Sequence, residues 1–88
     1  MFTRAAALEI GKQGIRVNAV SPGLINREGL EETWPEGLAR YRAAAPLGDI
    51  GHSTDIADAV LYLSSTAARW VTGSNLVVDG GVSCAQTW

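Results

Sequence analysis

Residues 14–23 have the sequence GIRVNAVSPG, and this stretch decides the fold class. The alanine-rich run before it, residues 2–12, favours a helix, and Gly14 is suited to the left-handed cap that ends one. Residues 15–20 are then largely apolar, which is typical of a strand buried in a sheet. A buried strand that follows a helix after so short a turn predicts a parallel α/β sheet rather than a hairpin.

A loop and a further helix are predicted after this strand. Thr33 and Glu36 have the spacing of a capping box, in which each side chain bonds the backbone N–H of the other residue. The helix covers about residues 35–45, and Pro46 ends it because the residue before a proline disfavours helical geometry. Its apolar side is formed by Leu38, Tyr41 and Ala45.

The second half of the chain predicts another helix and a second strand. Ser53 or Thr54 caps a helix that extends to about residue 67. Its apolar residues recur at helical spacing, and they are Ile56, Val60, Leu63 and Ala67, flanked by Ala57 and Leu61. Residues 74–81, SNLVVDGG, then predict a short strand that ends in a Gly-Gly turn.

The predicted order is helix, strand, helix, helix, strand. Two strands joined by helices are expected to be parallel. Two strands cannot form a stable open parallel sheet by themselves, because their apolar faces and unpaired edges need more sheet and more helices. The residues alone therefore predict that this chain is one part of a larger α/β fold.

Charge and cysteine content favour a globular protein of the cytoplasm. Seven basic and nine acidic residues give a net charge of −2, so neither nucleic acid nor an anionic membrane is an expected partner. Cys84 is the only cysteine, which excludes an internal disulfide and predicts a reducing, cytoplasmic location. The apolar run at the start is too short and too interrupted for a signal peptide or a membrane span.

The Pro-Gly corner follows the predicted strand at its carboxyl end, where open α/β sheets bind their ligands. Pro22 fixes φ and lacks an N–H, whereas Gly23 permits either close approach to the backbone or an unusual φ. The next residues, Leu24 to Asn26, then offer backbone N–H groups and apolar side chains to a flat ligand. The alternative is that the dipeptide only turns the chain, which is its more frequent role.

Three segments in order carry a resemblance to a known family: GIRVNAVSPG (14–23), PLGDIGHSTDIADAVLYLSS (46–65) and WVTGSNLVVDGG (70–81). Over residues 3–81 the chain resembles the carboxy-terminal part of the short-chain dehydrogenase/reductase family. It is most similar to the branch of 3-oxoacyl-carrier-protein reductases and glucose dehydrogenases. The resemblance implies an α/β fold, the carboxy-terminal part of a Rossmann-type doubly wound parallel sheet with about two strands and three to four helices. Residues 1–88 would then be a fragment of one such dehydrogenase domain.

The resemblance also implies site residues for a cofactor, NAD or NADP, and for a substrate. Those that border the cofactor are Pro22, Gly23, Leu24 and Ile25. Those in the segment that closes over the substrate are Asn26, Arg27 and Trp34. Ile25 falls where the family's backbone meets the nicotinamide carboxamide. Arg27 stands where the family often has a threonine, and Asp49 where it often has an arginine, so the roles of those two family residues are not carried over.

The catalytic residues of the family are missing from this sequence. Its Ser-Tyr-Lys set needs a Tyr-x-x-x-Lys pair on one helix face, but Tyr41 and Tyr62 are the only tyrosines and Lys12 the only lysine. The dinucleotide fingerprint needs glycines two apart, and no two glycines here have that spacing. In the family the pair lies on the helix that ends here before Gly14. We therefore expect no catalytic residue in this chain, no catalysis by it alone and no tight cofactor binding.

Other polar and aromatic residues have structural interpretations that we favour over catalytic ones. His52 is interpreted as an exposed loop residue, Cys84 as an incidental thiol, Asp55 and Asp58 as helix-capping and solvated residues, Asp79 as a turn-former, and Trp70 and Trp88 as packing or interface residues. Trp34 is the aromatic residue that lies on the predicted substrate segment. Metal-ligand spacing is not found in the sequence, so no metal site is expected.

Two hypotheses of different classes follow. In the first, the chain is part of an oxidoreductase that acts on a small-molecule carbonyl or alcohol substrate. In the second, it is a non-catalytic interaction module whose apolar edge, residues 76–78, pairs with a second copy or with a longer relative. The resemblance implies an oligomer in either case, and a gene remnant without function is a third possibility.

Overall fold

The computed structural model describes residues 2–84, and the interpretation of Trp88 lies outside them. The described part contains four α-helices and two strands. They are α1 (Phe2–Ile10), β1 (Ala19–Pro22), α2 (Leu30–Thr33), α3 (Pro35–Ala44), α4 (Ser53–Ser64) and β2 (Asn75–Val78). Within residues 2–84, no helix is both long enough and apolar enough to cross a membrane.

The two strands pair in parallel, which confirms the predicted α/β class. Their register pairs Ala19 with Asn75, Val20 with Leu76, Ser21 with Val77 and Pro22 with Val78. The left-handed cap is also confirmed, since Gly14 has a φ of 80° and its N–H donates to the C=O of Gly11 at 3.0 Å. A turn of this kind needs glycine because a side chain is strained at positive φ.

The first strand lies further along the chain than predicted. β1 starts at Ala19 rather than at residue 15, and it extends into the Pro-Gly corner. Asn18 explains the late start, because its side-chain amide donates to the C=O of Val71 and accepts the N–H of Ser74, both at 3.0 Å. Before Ala19 the pairing is therefore mixed, since the C=O of Val17 accepts the backbone N–H of Gly73 at 2.7 Å whereas the N–H of Val17 donates to the side chain of Thr72. The predicted bounds of 15–20 are therefore wrong.

The predicted capping box at Thr33 is wrong as well. The Oγ1 of Thr33 donates to the C=O of Gly29 at 2.9 Å, so this residue closes the short helix α2 and does not cap α3. Trp34 takes the N-cap position of α3 without a side-chain hydrogen bond. The end of α3 agrees with the prediction to within one residue, because Ala45, which precedes Pro46, is extended with a φ of −73° and a ψ of 126°.

The start of α4 is capped by a residue that the sequence did not single out for that role. His52, rather than Ser53 or Thr54, occupies the N-cap position. The carboxylate of Asp55 accepts the N–H of His52 at 2.8 Å, and an acid in the first turn also suits the helix dipole. The capping interpretation of Asp55 is confirmed, with His52 as its partner.

The other end of α4 lies at Ser64 instead of near residue 67, and a 3-10 turn follows. Arg16 fixes this end, because its guanidinium donates to the C=O of Leu63 at 2.7 Å. The last carbonyls of a helix have no intrahelical partner, so a cation placed here satisfies one of them and interacts well with the helix dipole.

The buried core lies beyond the carboxyl ends of the strands. Its members are Leu30, Leu38, Tyr41, Ala45, Ile50 and Val82, with Leu24 and Ala44 packed against them. By contrast, none of the residues of α4 is buried, although α4 packs on both strands. Leu61 of the predicted apolar stripe is 69% exposed, and Trp70 is 90% exposed and so does not pack within this chain.

The molecule exposes more surface than a self-contained domain of its size. Its accessible surface is 6386 Å², whereas a compact monomer of this mass exposes about 5,000 Å². Its radius of gyration is 15.7 Å, against about 12 Å for a compact domain of this length. The sheet, its edges and α4 supply much of the open surface, in agreement with the expectation that two strands need further cover.

Candidate functional site

The loop after β1 is held by backbone hydrogen bonds on both sides of Ile25. Gly51 donates its N–H to the C=O of Leu24 at 2.9 Å, and its C=O accepts the N–H of Asn26 at 2.8 Å. In an extended chain neighbouring residues present their N–H and C=O groups to opposite sides. The bridge therefore turns the N–H and C=O of Ile25 away from Gly51, and within residues 2–84 that N–H has no hydrogen-bond partner.

Gly23 is needed for close packing rather than for its φ, which is not positive. A Cβ at this position would overlap the hydroxyl of Tyr41 and would lie 2.7 Å from the Cβ of Asp79. That hydroxyl donates to the C=O of Asp79 at 2.6 Å, while the N–H of Gly23 donates to the C=O of Val78 at 2.9 Å. Of the two roles that the sequence left open for this glycine, the structure shows close approach, by the tyrosine and the β2 turn.

Trp34 stands beside the Pro-Gly corner. Its ring lies directly over Gly37, where any Cβ would overlap it, and the residue remains 40% exposed. It lines a groove of about 550 Å³ together with Pro22, Gly23 and Leu24. The structure thus brings one residue of the predicted substrate set next to three of the predicted cofactor set.

The remaining predicted site residues lie apart from this groove. Ile25 lines a second cavity of about 420 Å³, which it shares with Leu24 and Gly51. Asn26 and Arg27 are exposed and line neither cavity. Their backbones are nevertheless fixed, since the C=O of Arg27 accepts the N–H of Leu30 at 3.1 Å, which starts the turn into α2.

Asp79 organises the turn that closes this edge of the sheet. Its carboxylate accepts the N–H of Gly81 at 2.8 Å and the N–H of Ser83 at 3.0 Å. Desolvation acts to raise the pKa of Asp79, but the hydrogen bonds from Ser83 and Gly81 outweigh it, so the pKa lies below its ordinary value. The interpretation of Asp79 as a turn-former is confirmed.

Asp49, at the position where the family often has an arginine, forms an ion-paired bridge between α3 and the following loop. Its carboxylate accepts the Nε–H of Arg42 at 3.0 Å and the N–H of Ile50 at 2.8 Å. The hydrogen bond from Arg42, followed by that from Ile50, lowers the pKa of Asp49. Arg42 also approaches Glu31 of α2 at 3.9 Å, so these exposed charges connect the three segments around the buried core.

The lowered pKa of Asp79 predicts a loss of stability in acid. Since its folded-state pKa lies below the unfolded value of about 3.9, the folded chain binds fewer protons than the unfolded chain at low pH. The contribution is present above that value and is lost as pH falls through the folded-state pKa. We expect the free energy of unfolding in urea to fall as the pH drops below about 4, and to fall less steeply in Asp79→Asn. Equal slopes in the two proteins would contradict this assignment.

Two residues of the site were not found from the sequence. The sequence predicts Tyr41 on the buried side of its helix and Asp79 in a turn, but it does not predict their contact with Gly23. No local signal connects these residues, because they are far apart in the chain.

His52 and Cys84 are both exposed, in line with their non-catalytic interpretations. Among residues 2–84 there is no group of three side chains that could hold a metal ion.

The chain matches a known protein family over nearly its whole length. The family model described as Enoyl-(Acyl carrier protein) reductase matches residues 1–83. The chain belongs to the short-chain dehydrogenase/reductase family. Within this family it is 41% identical over 88 residues to 2-(S)-hydroxypropyl-CoM dehydrogenase 3 of Xanthobacter autotrophicus, in an alignment that covers 93% of this chain and 34% of the relative.

Solved structures of short-chain dehydrogenases/reductases share the fold. 4-Hydroxyisoleucine dehydrogenase complexed with NADH superposes with a TM-score of 0.87 at 36% identity, covering 97% of this chain and 36% of that one. 3-Oxoacyl-[acyl-carrier protein] reductase from Brucella melitensis superposes with a TM-score of 0.87 at 37% identity, covering 92% and 30%. The predicted family and its Rossmann-type fold are confirmed, and NADH is a cofactor of relatives. The chain spans about a third of the length of the relatives it matches.

Proposed function

We propose that residues 1–88 are the carboxy-terminal part of a single Rossmann-type dehydrogenase domain, and that the complete protein is an NAD(P)-dependent oxidoreductase. It interconverts a carbonyl and an alcohol in a small molecule, in the cytoplasm and as an oligomer or in association with a longer relative. The observation that carries the proposal is the outward-turned backbone of Ile25 at the carboxyl end of β1. Membership of the short-chain dehydrogenase/reductase family supports it.

The residues after β1 fit one part of a nicotinamide cofactor. A carboxamide has one acceptor and two donors, and the N–H and C=O of Ile25 offer the matching donor and acceptor. Pro22 and Leu24 give an apolar surface beside this backbone for a flat ring. A bound cofactor supplies or accepts the hydride. The role of this chain is to hold the carboxamide end and to exclude water from one side.

The substrate segment follows directly from the same loop. We assign Trp34 to the substrate side of the groove, where its ring is held over Gly37 and one side remains exposed. Asn26 and Arg27 are assigned to the mouth of the site, because their backbones are fixed and their side chains are exposed. In this assignment, the choice of carbonyl substrate depends on the residues that line both sides of the groove.

The 88 residues alone are proposed to be inactive. Hydride transfer needs a cofactor held in line with the substrate and a proton donor beside them. This sequence contains neither the glycine fingerprint that holds the diphosphate nor the Tyr-x-x-x-Lys pair. A fluorescence titration of NADH with the isolated chain is expected to show no saturable binding at micromolar protein. Tight binding by the isolated chain would contradict this part of the proposal.

A chimaera tests the assignment of Ile25. In it, this chain replaces the matching segment of the 3-oxoacyl-[acyl-carrier protein] reductase from Brucella melitensis, and NAD(P)H-dependent carbonyl reduction is measured. Ile25→Pro removes the proposed donor, whereas the control Ile25→Val keeps it. We expect the KM for the cofactor to rise roughly 2- to 10-fold in the proline variant, as the loss of one hydrogen bond implies. An unchanged KM in a folded proline variant would overturn the assignment.

A further inference from the structure

Tyr41 stands between the two cavities of the candidate site. The residue is 3% exposed, and it lines both the groove that holds Trp34 and the second cavity, which Ile25 lines. A single buried side chain of α3 thus borders the residue assigned to the substrate and the residue assigned to the carboxamide.

The hydroxyl of Tyr41 reaches the point where the two strands end. It donates to the C=O of Asp79 at 2.6 Å and occupies the space that a side chain on Gly23 would fill. The same carbonyl accepts the N–H of Val82 at the longer distance of 3.3 Å. The bond from Tyr41 is therefore the stronger of these two, and it holds α3 against the strand ends.

Trp34 lies two helical turns before Tyr41, at the start of α3. Residues seven apart share one side of a helix. The backbone of Trp34 belongs to the first turn, since Leu38 donates its N–H to the C=O of Trp34 at 3.2 Å, and the ring lies over Gly37 of the same helix. A helix behaves as a rigid element over two turns, so a contact that fixes Tyr41 also determines where the ring of Trp34 lies.

The neighbouring Arg42 holds α3 less tightly. Its guanidinium bonds Asp49 at 3.0 Å and approaches Glu31 at 3.9 Å, but the side chains of all three residues are at least 42% exposed. Ion pairs between exposed side chains contribute little, because solvent and salt screen them. Neither partner of Arg42 lines the groove that holds Trp34. The buried hydroxyl of Tyr41, by contrast, relates α3 directly to the Pro-Gly corner.

We propose that Tyr41 is a positioning residue for the substrate: its hydroxyl holds α3 at the strand ends and so sets how far the ring of Trp34 lies from the nicotinamide side of the groove. This role rests on the proposed function, which assigns Trp34 to the substrate. The hold on the cofactor is separate, because the backbone around Ile25 is fixed by its bridge with Gly51. Loss of the hydroxyl therefore affects the substrate more than the cofactor.

The first experiment compares two tyrosines. Tyr41→Phe removes only the hydroxyl, and Tyr62→Phe makes the same change on α4 at a residue that is 46% exposed. Both are made in the chimaera with the Brucella melitensis reductase, and NAD(P)H-dependent reduction of a 3-oxoacyl thioester is measured. We expect kcat/KM for the thioester to fall about 5- to 10-fold in Tyr41→Phe, with a higher KM for the thioester, as one lost hydrogen bond implies.

The cofactor supplies the internal reference for this comparison. The KM for NAD(P)H is expected to change by less than about 2-fold in Tyr41→Phe, and Tyr62→Phe is expected to resemble the unmodified chimaera. A merely structural role of the hydroxyl would reduce the amount of active enzyme. Such a loss lowers the apparent kcat and leaves both KM values unchanged.

A second variant displaces Trp34 without touching Tyr41. In Gly37→Ala the new Cβ overlaps the ring of Trp34, so the ring must move while the hydroxyl of Tyr41 stays in place. We expect the same pattern, a lower kcat/KM for the thioester with little change in the KM for NAD(P)H. Because both substitutions act through Trp34, the double variant should lose less than the product of the two single losses. An unchanged kcat/KM in Gly37→Ala, or losses that multiply, would contradict action through Trp34.

Fluorescence of the 88-residue chain tests the positioning without catalysis. Trp70→Phe and Trp88→Phe leave Trp34 as the only tryptophan in the sequence, and acrylamide quenching then measures its exposure. We expect the quenching constant to rise by up to about 2-fold in Tyr41→Phe, because a residue that is 40% exposed gains accessibility when its helix is released. Tyr62→Phe is expected to leave it unchanged.

Each result decides for or against the inference. Unchanged kinetics in Tyr41→Phe, a loss confined to kcat, or unchanged quenching of Trp34 would overturn it. A Tyr41→Phe chimaera that does not fold would overturn it as well, since the hydroxyl would then serve folding. If the unmodified chimaera does not reduce the thioester, that result counts against the proposed function, and the quenching of Trp34 still decides whether Tyr41 positions α3.

Discussion

Replacement of Gly23 by alanine is expected to destabilise the chain by about 3 kcal/mol, at the upper end of overpacking effects. The new Cβ would overlap the hydroxyl of Tyr41 and would lie 2.7 Å from the Cβ and 2.8 Å from the Cα of Asp79. The tyrosine can shift, but the backbone around Asp79 is held, because the C=O of Val78 accepts the N–H of Gly23 and the C=O of Asp79 accepts the hydroxyl of Tyr41. Urea denaturation followed by far-ultraviolet circular dichroism measures the effect.

A matched glycine and a double-mutant cycle test the reason for this loss. Gly11→Ala has no heavy atom within 4 Å of its new Cβ, so the same substitution is expected to change stability by less than about 1 kcal/mol. Tyr41→Phe removes the overlapping hydroxyl, and Gly23→Ala should therefore cost less in that background than in the native chain. Equal costs in both backgrounds would show that the tyrosine is not the obstacle.

The features predicted correctly depend on local sequence. The buried side of α3 follows from the spacing of Leu38, Tyr41 and Ala45, each of which is buried. The cap at Gly14 follows from the conformational freedom of glycine, and the parallel pairing from a short turn between helix and strand. These signals come from residues close together in the chain, and tertiary contacts do not change the local structure that they favour.

The errors arise where a side chain chooses between local and distant partners. Asn18 reaches Val71 and Ser74 across the sheet, and this delays the start of β1. The hydroxyl of Thr33 bonds the preceding turn at Gly29 instead of capping the following helix. Serine, threonine and asparagine have several backbone partners of similar energy, so sequence spacing alone does not select among them.

The sequence predicts where the candidate site lies, but it does not predict the tertiary contacts that hold the site in place. The Pro-Gly corner and Trp34 share one groove, as a ligand site at the carboxyl end of a strand requires. The groove is built on Tyr41, whose contact with Gly23 joins residues that no periodic pattern relates. Burial of α3 was predicted, but the sequence did not show that its partner is the loop after β1 rather than the sheet.

Leu38→Ala on α3 is expected to be costly, with a loss of about 2–5 kcal/mol in the free energy of unfolding. Leu38 is 2% exposed and lies within the cluster beyond the strand ends, where its removal leaves a cavity beside Tyr41. Even a self-contained domain of this length has a total stability of only about 4–13 kcal/mol, so the loss is a large fraction of any stability that this chain has.

A leucine on α4 serves as the control, because α4 lies outside the buried core. Leu61→Ala makes the same change of side chain at a residue that is 69% exposed, and it should cost less than about 1 kcal/mol. Urea denaturation measures the loss of stability in both variants. The two losses should differ, because Leu38 belongs to the buried cluster whereas Leu61 lies on a helix without buried residues. Similar losses at both positions would contradict this difference in burial and would mean that Leu61 is covered in solution.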